Sequence, residues 1–156
     1  MEHWRDYLSE KRKLFKKAKQ IPYDFDWGLL SEQERPPTVA TFDFDDTLQF
    51  TDTKTATPIV QAVKDLAARG STVYIVTSRQ NTDDNQQEIE DFIRENDLPT
   101  SGVYFTNFAD KIDTLMELES EMHFDNDPQE IEVIINSDAE IRPMQVDAST
   151  GTLINV

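Results

Sequence analysis

Short apolar runs and amphipathic segments alternate along most of this chain, and their spacing predicts repeating strand–helix units. Runs rich in β-branched and aromatic residues, typical of buried strands, cover residues 38–44, 72–76, 103–106 and 122–124. Segments with apolar residues at helical spacing begin near residues 58, 84, 110 and 128. Pro58 and Pro128 suit a first helical turn, and Gly70 suits a helix end. Residues 142–146 and 152–156 flank a polar turn and predict a final hairpin.

Repeating strand–helix units predict an α/β fold, because a helix returns the chain to a parallel strand of the same sheet. We expect a Rossmann-like, doubly wound three-layer sandwich with a central, mostly parallel sheet of about five strands and a C-terminal hairpin. A chain of 156 residues is long enough for one such domain. The pattern divides the chain into a basic amphipathic helix with its connector, residues 1–37, and the main domain, residues 38–156.

Charge is spread unevenly along the chain. The net charge is −16, yet residues 1–20 hold seven Lys or Arg against three acidic residues, a net +4, so the remainder carries −20. Such an acidic body repels polyanions at long range, which argues against general nucleic-acid binding by the main domain. The basic helix carries an aromatic stripe that includes Trp4 and Phe15. It would pack on the body, contact nucleic acid or bind a partner, and the pattern leaves these roles open.

Composition also bears on the cellular environment. The sequence has no cysteine, which excludes disulfides and thiolate metal sites and is consistent with a reducing compartment. No apolar run approaches the ~18 residues needed to cross a bilayer. The basic N-terminal stretch lacks the apolar core of a signal peptide. We therefore expect a soluble, cytoplasmic protein without membrane attachment; the sequence does not indicate an oligomeric state.

Polar residues suited to phosphate chemistry directly follow the predicted strands. Three carboxylates, Asp43, Asp45 and Asp46, end the first strand, where an unpaired buried charge would cost several kcal/mol. The other strands are followed by Thr77, Ser78 and Arg79, by Lys111, and by Asp125, Asn126 and Asp127. Because ligands bind outside the carboxyl ends of parallel strands, we expect all these residues at one edge of the sheet. The sequence therefore predicts an acidic site that needs a cation.

These residue types suit phosphoryl transfer. A carboxylate at a strand end can attack phosphorus to give an aspartyl-phosphate, and a second carboxylate two residues on can transfer a proton. Oxygen-only ligands favour Mg²⁺ as the cofactor. Thr77, Ser78, Arg79 and Lys111 are the candidates for binding the substrate phosphate, and Lys111 would balance charge on the transferring group.

Several of these residues also have purely structural explanations. Thr77 can simply end its strand, and Arg79 can form a surface ion pair as readily as it can grip a phosphate. Asp127 can cap the following helix, and Asp46 is typical of a turn. His123, inside an apolar run, is interpreted as a core histidine or as support for a metal ligand, not as a ligand itself.

The segment Asp43-Phe44-Asp45-Asp46-Thr47-Leu48 resembles the first motif, DxDx[TV], of the haloacid dehalogenase (HAD) superfamily. Thr77 resembles its second motif, Lys111 its third and the Asp125/Asp127 pair its acidic fourth, over residues 38–146. The resemblance implies that Asp43 is the nucleophile and a metal ligand. It implies that Asp45 is the acid/base and binds metal through its carbonyl, and that Thr77 and Lys111 position phosphate. Asp125 would complete the metal shell, together with either Asn126 or Asp127.

Members of this superfamily often carry a cap domain, but residues 48–58 and 77–111 leave no room for one here. The resemblance therefore implies an open, capless (C0-type) phosphatase, a phosphoric monoester hydrolase dependent on Mg²⁺. Such members act on extended phosphate esters, including nucleic-acid ends and phosphoproteins, or borrow a lid from another subunit. A nucleotide or sugar phosphate also stays open, so the sequence predicts a phosphorylated substrate without identifying it.

Two other interpretations compete with this one. A receiver domain of a signalling pathway also places aspartates, a Thr or Ser and a Lys on a parallel sheet, but its phosphoacceptor ends the third strand. Here the third predicted strand is followed by Thr106-Asn107. A non-catalytic interaction module would use the N-terminal helix as its working part, and the complete set of carboxylates with Lys111 argues against it.

Overall fold

The structure is a computed structural model that describes residues 35–154. Strands and helices alternate along the chain as the sequence predicts. The strands are β1 (Val39–Phe42), β2 (Thr72–Thr77), β3 (Gly102–Phe105), β4 (Met122–Asp125), β5 (Arg142–Val146) and β6 (Leu153–Ile154). The helices are α1 (Val60–Ala68), α2 (Asp83–Glu95), α3 (Ile112–Glu117) and α4 (Pro128–Asn136).

The strands form one six-stranded sheet in the order β3-β2-β1-β4-β5-β6. Neighbouring strands from β3 to β5 are parallel, and β6 pairs with β5 in the antiparallel direction. The predicted α/β class, the mostly parallel sheet and the C-terminal hairpin are therefore confirmed, with six strands where about five were expected. The strand order reverses between β1 and β4, which in open α/β sheets marks the ligand-binding crevice. This order differs from the 2-1-3-4-5 order of receiver domains.

Helices pack on both faces of the sheet, which confirms the three-layer arrangement. Adjacent residues of a strand point to opposite faces, so Ile75 and Val76 of β2 belong to different apolar clusters. The larger cluster lies between the sheet and the α1–α2 layer and includes Val63 and Phe92. The smaller cluster, under α3 and α4, consists of Val76, Leu115, Ile134 and Ile141. Burial on two faces explains why the strands read as continuous apolar runs.

Element boundaries differ from the predicted ones at the sheet edge that carries the polar residues. β1 ends at Phe42, two residues before the predicted end, because the chain turns there. The carbonyl of Phe44 accepts hydrogen bonds from the amides of Thr47, Leu48 and Gln49. Asp46 takes a left-handed φ of 58° in this turn and accepts a hydrogen bond from the amide of Thr51, which agrees with its interpretation as a turn residue.

No additional domain interrupts the described part of the chain. Residues 48–58 form a compact turn closed by a bridge between Gln49 and Ala56. Between Thr77 and Lys111 the chain contains only α2 and β3. Within residues 35–154, the edge where the strand order reverses is consequently open.

The predicted N-terminal amphipathic helix lies outside the described residues, apart from the end of its connector. The division into residues 1–37 and 38–156 therefore stays a prediction, as do the roles of Trp4 and Phe15. Within residues 35–154, no helix combines the length and the apolar character that a membrane span requires.

Candidate active site

Three predicted site residues meet where the strand order reverses. Asp43 follows β1, and its amide donates a hydrogen bond to the carbonyl of Phe124 in the neighbouring β4. Asp125 ends β4, and Lys111 immediately precedes α3. The Lys111 Nζ atom lies 2.8 Å from Asp43 Oδ1 and 2.7 Å from Asp125 Oδ2. All three side chains are buried, so a single ammonium group neutralises part of a two-carboxylate cluster.

Burial and neighbouring charge set the protonation of this trio. Burial, reinforced by the charge of Asp125 and opposed by Lys111, raises the pKa of Asp43 to about 7. Burial lowers the pKa of Lys111, but the two carboxylates outweigh it and the net shift is upward. Burial acts to raise the pKa of Asp125, yet Lys111 and His123 bring it below its ordinary range. Asp125 and Lys111 are therefore charged at neutral pH, whereas Asp43 titrates near neutrality in the absence of another cation.

A chain of buried polar side chains within hydrogen-bonding distance of one another leads away from Asp125. His123 Nε2 lies 2.9 Å from Asp125 Oδ2, and His123 Nδ1 lies 2.8 Å from Thr41 Oγ1. Thr41 Oγ1 lies 2.8 Å from Ser120 Oγ. Burial lowers the pKa of His123, so its neutral ring donates through Nε2 to Asp125 and accepts through Nδ1 from Thr41. His123 thus supports Asp125, in agreement with its interpretation from the sequence.

Asp45 is held by Arg79. The Arg79 Nε and Nη2 atoms donate to the two carboxylate oxygens of Asp45 at 2.9 and 2.7 Å. The same guanidinium donates to Glu88 Oε2 at 2.9 Å and to Asn85 Oδ1 at 3.2 Å, both on α2. The hydrogen bond to Asp45 is the main reason why the pKa of Arg79 is raised. In this arrangement Arg79 fixes the direction of the Asp45 carboxylate, and its contact with a substrate phosphate stays a prediction.

We expect Arg79→Lys to lower kcat for any reaction that uses Asp45 as a proton carrier. A lysine keeps the charge but cannot make the two-pronged contact, and misplacement of a catalytic group by about 1 Å costs on the order of 10²-fold in rate. Steady-state kinetics measures the effect. The matched control is Arg94→Lys, because Arg94 pairs with Asp91 on the exposed side of α2. Equal rates for the two variants would contradict the positioning role.

The other predicted phosphate ligands occupy two different environments. Thr77 is fully buried at the end of β2, and its Oγ1 accepts a hydrogen bond from the amide of Arg79 at 3.3 Å. Ser78 lines the open cavity above Asp43. Ser78 is therefore placed to meet a ligand directly, whereas Thr77 in this arrangement shapes the loop that follows its strand.

The cavity is strongly acidic. It has a volume of about 290 Å³ and is lined by Asp43, Asp45, Asp46, Ser78, Lys111, Asp125, Asn126, Asp127, Pro128 and Glu130. Lys111 is the only basic side chain among these lining residues, against six carboxyl groups. A phosphate dianion would be repelled by this surface, so binding one requires added positive charge.

Asn126 and Asp127 play different structural parts. The hydrogen-bonding partners orient the Asn126 amide with its nitrogen toward Asp43 Oδ2 at 2.8 Å and toward the carbonyl oxygen of Asp45 at 2.9 Å. Asp127 instead caps α4, where its Oδ1 accepts from the amide of Gln129 at 2.9 Å. The geometry therefore favours Asn126 over Asp127 as the residue that could join Asp43 and Asp45 around a cation.

The donor atoms at this point fit Mg²⁺. No group of three or more acidic or histidine side chains within residues 35–154 is arranged to hold a metal ion by itself. The candidate set is instead mixed, with a carboxylate oxygen of Asp43, the carbonyl of Asp45 and, after rotation of its amide, the oxygen of Asn126. All are hard oxygen donors, and Mg²⁺ commonly uses one or two carboxylates and completes its shell with water and phosphate. Asp125 is predicted as a metal ligand. In this structure its Oδ2 lies within hydrogen-bonding distance of Lys111 and His123, and its Oδ1 accepts from the amide of Asp127.

Sequence reasoning missed Glu88, Asn85, Thr41 and Ser120. Asn85 and Glu88 are three residues apart on α2 and so share a face, but nothing in the sequence links that face to Asp45. Thr41 stands opposite His123 in the pairing of β1 with β4. The polar Thr41 within an apolar strand was a signal, although its partner depends on a register that the sequence does not show.

Comparisons with known proteins show the fold. No protein-family model matches the chain, and no curated protein matches it. A chain from a structure of the Pnkp1/Rnl/Hen1 complex aligns with a TM-score of 0.57 and 18% identity over 72% of this chain and 47% of that one. A chain from the Pnkp1/Rnl/Hen1 RNA repair complex gives the same TM-score and identity over 84% of this chain and 47% of that one. This chain therefore spans about half the length of these two chains.

A third match is to a protein from Vibrio cholerae that has been assigned as a 3-deoxy-D-manno-octulosonate 8-phosphate phosphatase. It aligns with a TM-score of 0.44 and 18% identity over 74% of this chain and 73% of that one. At the identity of the first two matches, a shared fold is what the similarity establishes.

Proposed function

We propose that this protein is a Mg²⁺-dependent phosphohydrolase that cleaves phosphate monoesters through an aspartyl-phosphate on Asp43. The observation that carries the proposal is the buried contact of Lys111 with both Asp43 and Asp125 at the reversal of strand order. Buried ionisable groups whose pKa values are shifted by burial and by a specific charged partner, and which lie in a cleft, are candidates for a functional site. The resemblance of residues 43–48, Thr77, Lys111 and Asp125 to the HAD motifs supports the same chemistry.

The reaction has two steps. A carboxylate oxygen of Asp43 attacks phosphorus, the bond from phosphorus to the leaving oxygen breaks, and Asp45 gives that oxygen a proton. Water then attacks the aspartyl-phosphate, Asp45 takes a proton from the water, and inorganic phosphate leaves with the Asp43 carboxylate restored. Throughout, Lys111 offsets negative charge at Asp43, and Arg79 holds the Asp45 side chain in place through its two carboxylate oxygens.

Mg²⁺ would supply the positive charge that the acidic cavity lacks. When bound, it would neutralise phosphoryl oxygens and favour the ionised form of Asp43, and the oxygens of Asp43, Asp45 and Asn126 would hold it. Lys111 alone cannot balance both the lining carboxylates and an incoming phosphate dianion.

The open edge suits a phosphate ester whose organic part projects out of the cavity. Since no cap domain lies within residues 38–146, the described part of the chain does not enclose the leaving group. The RNA repair complex that contains one of the matching chains makes a nucleic-acid end one candidate. The charge of the main domain disfavours a long polyanion and favours a short phosphate ester.

A panel of phosphate monoesters tests the proposal. It should contain a sugar phosphate, a nucleotide and oligonucleotides phosphorylated at the 3′ or the 5′ end, each assayed for phosphate release with Mg²⁺ and with a chelator. We expect release with Mg²⁺, no release with the chelator, and a fall in kcat of about 10²- to 10⁴-fold for Asp45→Asn. Asp97→Asn, which removes the same charge at an exposed position, is the control.

Two outcomes would overturn the proposed Mg²⁺-dependent phosphohydrolase function. Release of phosphate at equal rates with the chelator would exclude the proposed metal dependence. No turnover anywhere on the panel, in protein that binds Mg²⁺, would favour the non-catalytic interaction module. The receiver-like interpretation is already disfavoured by the strand order and by Thr106-Asn107 after β3.

A further inference from the structure

An exposed aromatic residue stands beside the candidate phosphate cavity. Phe108 is 73% exposed, the highest value among the large hydrophobic residues of the described chain that face solvent. It lies in the loop between β3 and Lys111. Its amide donates to the carbonyl of Ser78 at 2.8 Å, and Ser78 lines the cavity, so one backbone hydrogen bond separates Phe108 from a residue of the cavity wall.

The backbone at Phe108 takes a conformation that this residue type disfavours. Asn107 and Phe108 have φ values of 53° and 69°, and the amide of Ala109 donates to the carbonyl of Thr106. These features match a type I′ turn, in which asparagine is favoured at the first central position and glycine at the second. Phenylalanine at that second position gains little burial and adopts a left-handed conformation that costs free energy. Neither folding nor solubility accounts for an aromatic ring there.

The loop holds Phe108 in a fixed position. The amides of Thr106 and Asn107 donate to the carbonyls of Thr77 and Arg79, which brackets the bond from Phe108 to Ser78. Asn107 Oδ1 also accepts from the amide of Asn81 at 2.9 Å. The turn is thus tied along its length to the loop that follows β2, and a ring on a rigid backbone binds a flat partner with little loss of entropy.

We propose that Phe108 is a stacking platform for the base of a nucleotide whose phosphate occupies the cavity. The inference rests on the proposed function and specifies its substrate class. Phe108 is not one of the residues that line the cavity, so we expect that a ring bonded directly to phosphate, as in an aryl phosphate, does not reach it. In a nucleotide the sugar separates the ring from the phosphate. A single base stacked at the rim also accords with an acidic body that disfavours long nucleic acid.

Adenosine 5′-monophosphate and ribose 5-phosphate form the test pair, because C1 of the same sugar phosphate carries adenine in one and a hydroxyl group in the other. Stacking on an aromatic side chain is worth about 1–3 kcal/mol per base, which corresponds to roughly 5- to 150-fold. We expect the wild-type KM for the nucleotide to lie below that for the sugar phosphate by a factor in this range. Phe108→Ala should abolish the difference and leave the kinetics on ribose 5-phosphate and on p-nitrophenyl phosphate unchanged.

Three further variants separate stacking from folding. Phe108→Trp should retain the preference for the nucleotide. Phe108→Gly should lose it while unfolding at the same or a higher temperature, because glycine is favoured in the left-handed conformation. Met116→Ala, which removes another exposed hydrophobic side chain, should change nothing.

The outcomes are decisive for the inference and distinct from those for the proposed function. Two results would overturn stacking and leave the phosphohydrolase proposal intact. One is hydrolysis of both substrates with equal KM, and the other is a loss of activity toward both substrates in Phe108→Ala. If neither substrate is hydrolysed, the proposed function fails, and thermal shifts with the two compounds still decide the inference. Stabilisation by the nucleotide alone, lost in Phe108→Ala, supports it; equal shifts overturn it.

Discussion

Lys111→Met is expected to destabilise the protein by about 3–5 kcal/mol at neutral pH, the typical cost of removing one partner from a buried ion pair. The lysine is 2% exposed and is the cation that contacts both Asp43 and Asp125 within the described chain. Without it, two buried carboxylates would face each other, and the folded state would take up protons to relieve the repulsion. Urea unfolding of the metal-free protein at pH 7.5 measures the loss.

The pH dependence identifies the cause of that loss. Removing Lys111 raises the folded-state pKa of both carboxyl groups, so the variant binds more protons when folded than when unfolded. Its deficit relative to wild type should therefore shrink as the pH falls from 7.5 toward 5. Lys64→Met, on the half-buried side of α1, is the matched control and should cost less than about 1 kcal/mol. A deficit that does not change with pH would point to lost packing of the lysine stem.

Asp43→Asn is expected to abolish turnover and, without metal, to stabilise the protein. Asp43 is the proposed nucleophile, so phosphate release should fall about 10⁴-fold or more. The pKa of the folded-state Asp43 is about 7, above the ordinary 3.8, so its ionisation removes stability as the pH rises from about 4 through 7. Asparagine cannot ionise, and its side-chain oxygen can still accept from Lys111. The variant should be more stable than wild type at pH 8, on the order of 2–4 kcal/mol, and less so at pH 5.

Thermal or urea unfolding in the presence of a chelator at pH 5 and pH 8 measures this gain. Mg²⁺ should reduce it, because a bound cation stabilises the ionised wild-type site. Asp52→Asn, in an exposed turn, removes the same charge and should show no pH-dependent gain. If the variant is inactive and its stability relative to wild type is the same at both pH values, then Asp43 is not the carboxyl group with the raised pKa.

The architecture and the edge that carries the site could be predicted because both follow from local patterns. Parallel strands that are buried on both faces give continuous apolar runs. The helices between them make successive strands run in the same direction, so their carboxyl ends lie at one edge of the sheet. Once Asp43, Lys111 and Asp125 are each assigned to the end of a unit, the topology brings them together without any knowledge of distances. Asp127 as a helix cap follows from its position before Pro128 in the same way.

The supporting contacts could not be predicted because they depend on register and on side-chain direction. Thr41 and His123 meet only because β1 pairs with β4 in one of several alignments. The sequence is equally consistent with Arg79 as a phosphate ligand and as an ion-pair partner. Its contact with Asp45 depends on the path of the chain after β2. The exposure of Phe108 depends on a turn at Asn107 that the alternation of apolar and polar residues does not encode.

The attachment of Asp45 to α2 through Arg79 has a dynamic consequence. Glu88 and Asn85, which anchor the guanidinium, lie in the first turns of a helix with only two buried residues, Ile89 and Phe92. Helix ends fray and open locally at far lower free energy than the central strands of a sheet. Fraying of this helix would release Asp45, the proposed proton carrier, while Asp43 and Asp125 stay anchored at the ends of the central strands β1 and β4. We therefore expect the orientation of Asp45 to depend on local opening at one helix end, which needs less free energy than global unfolding.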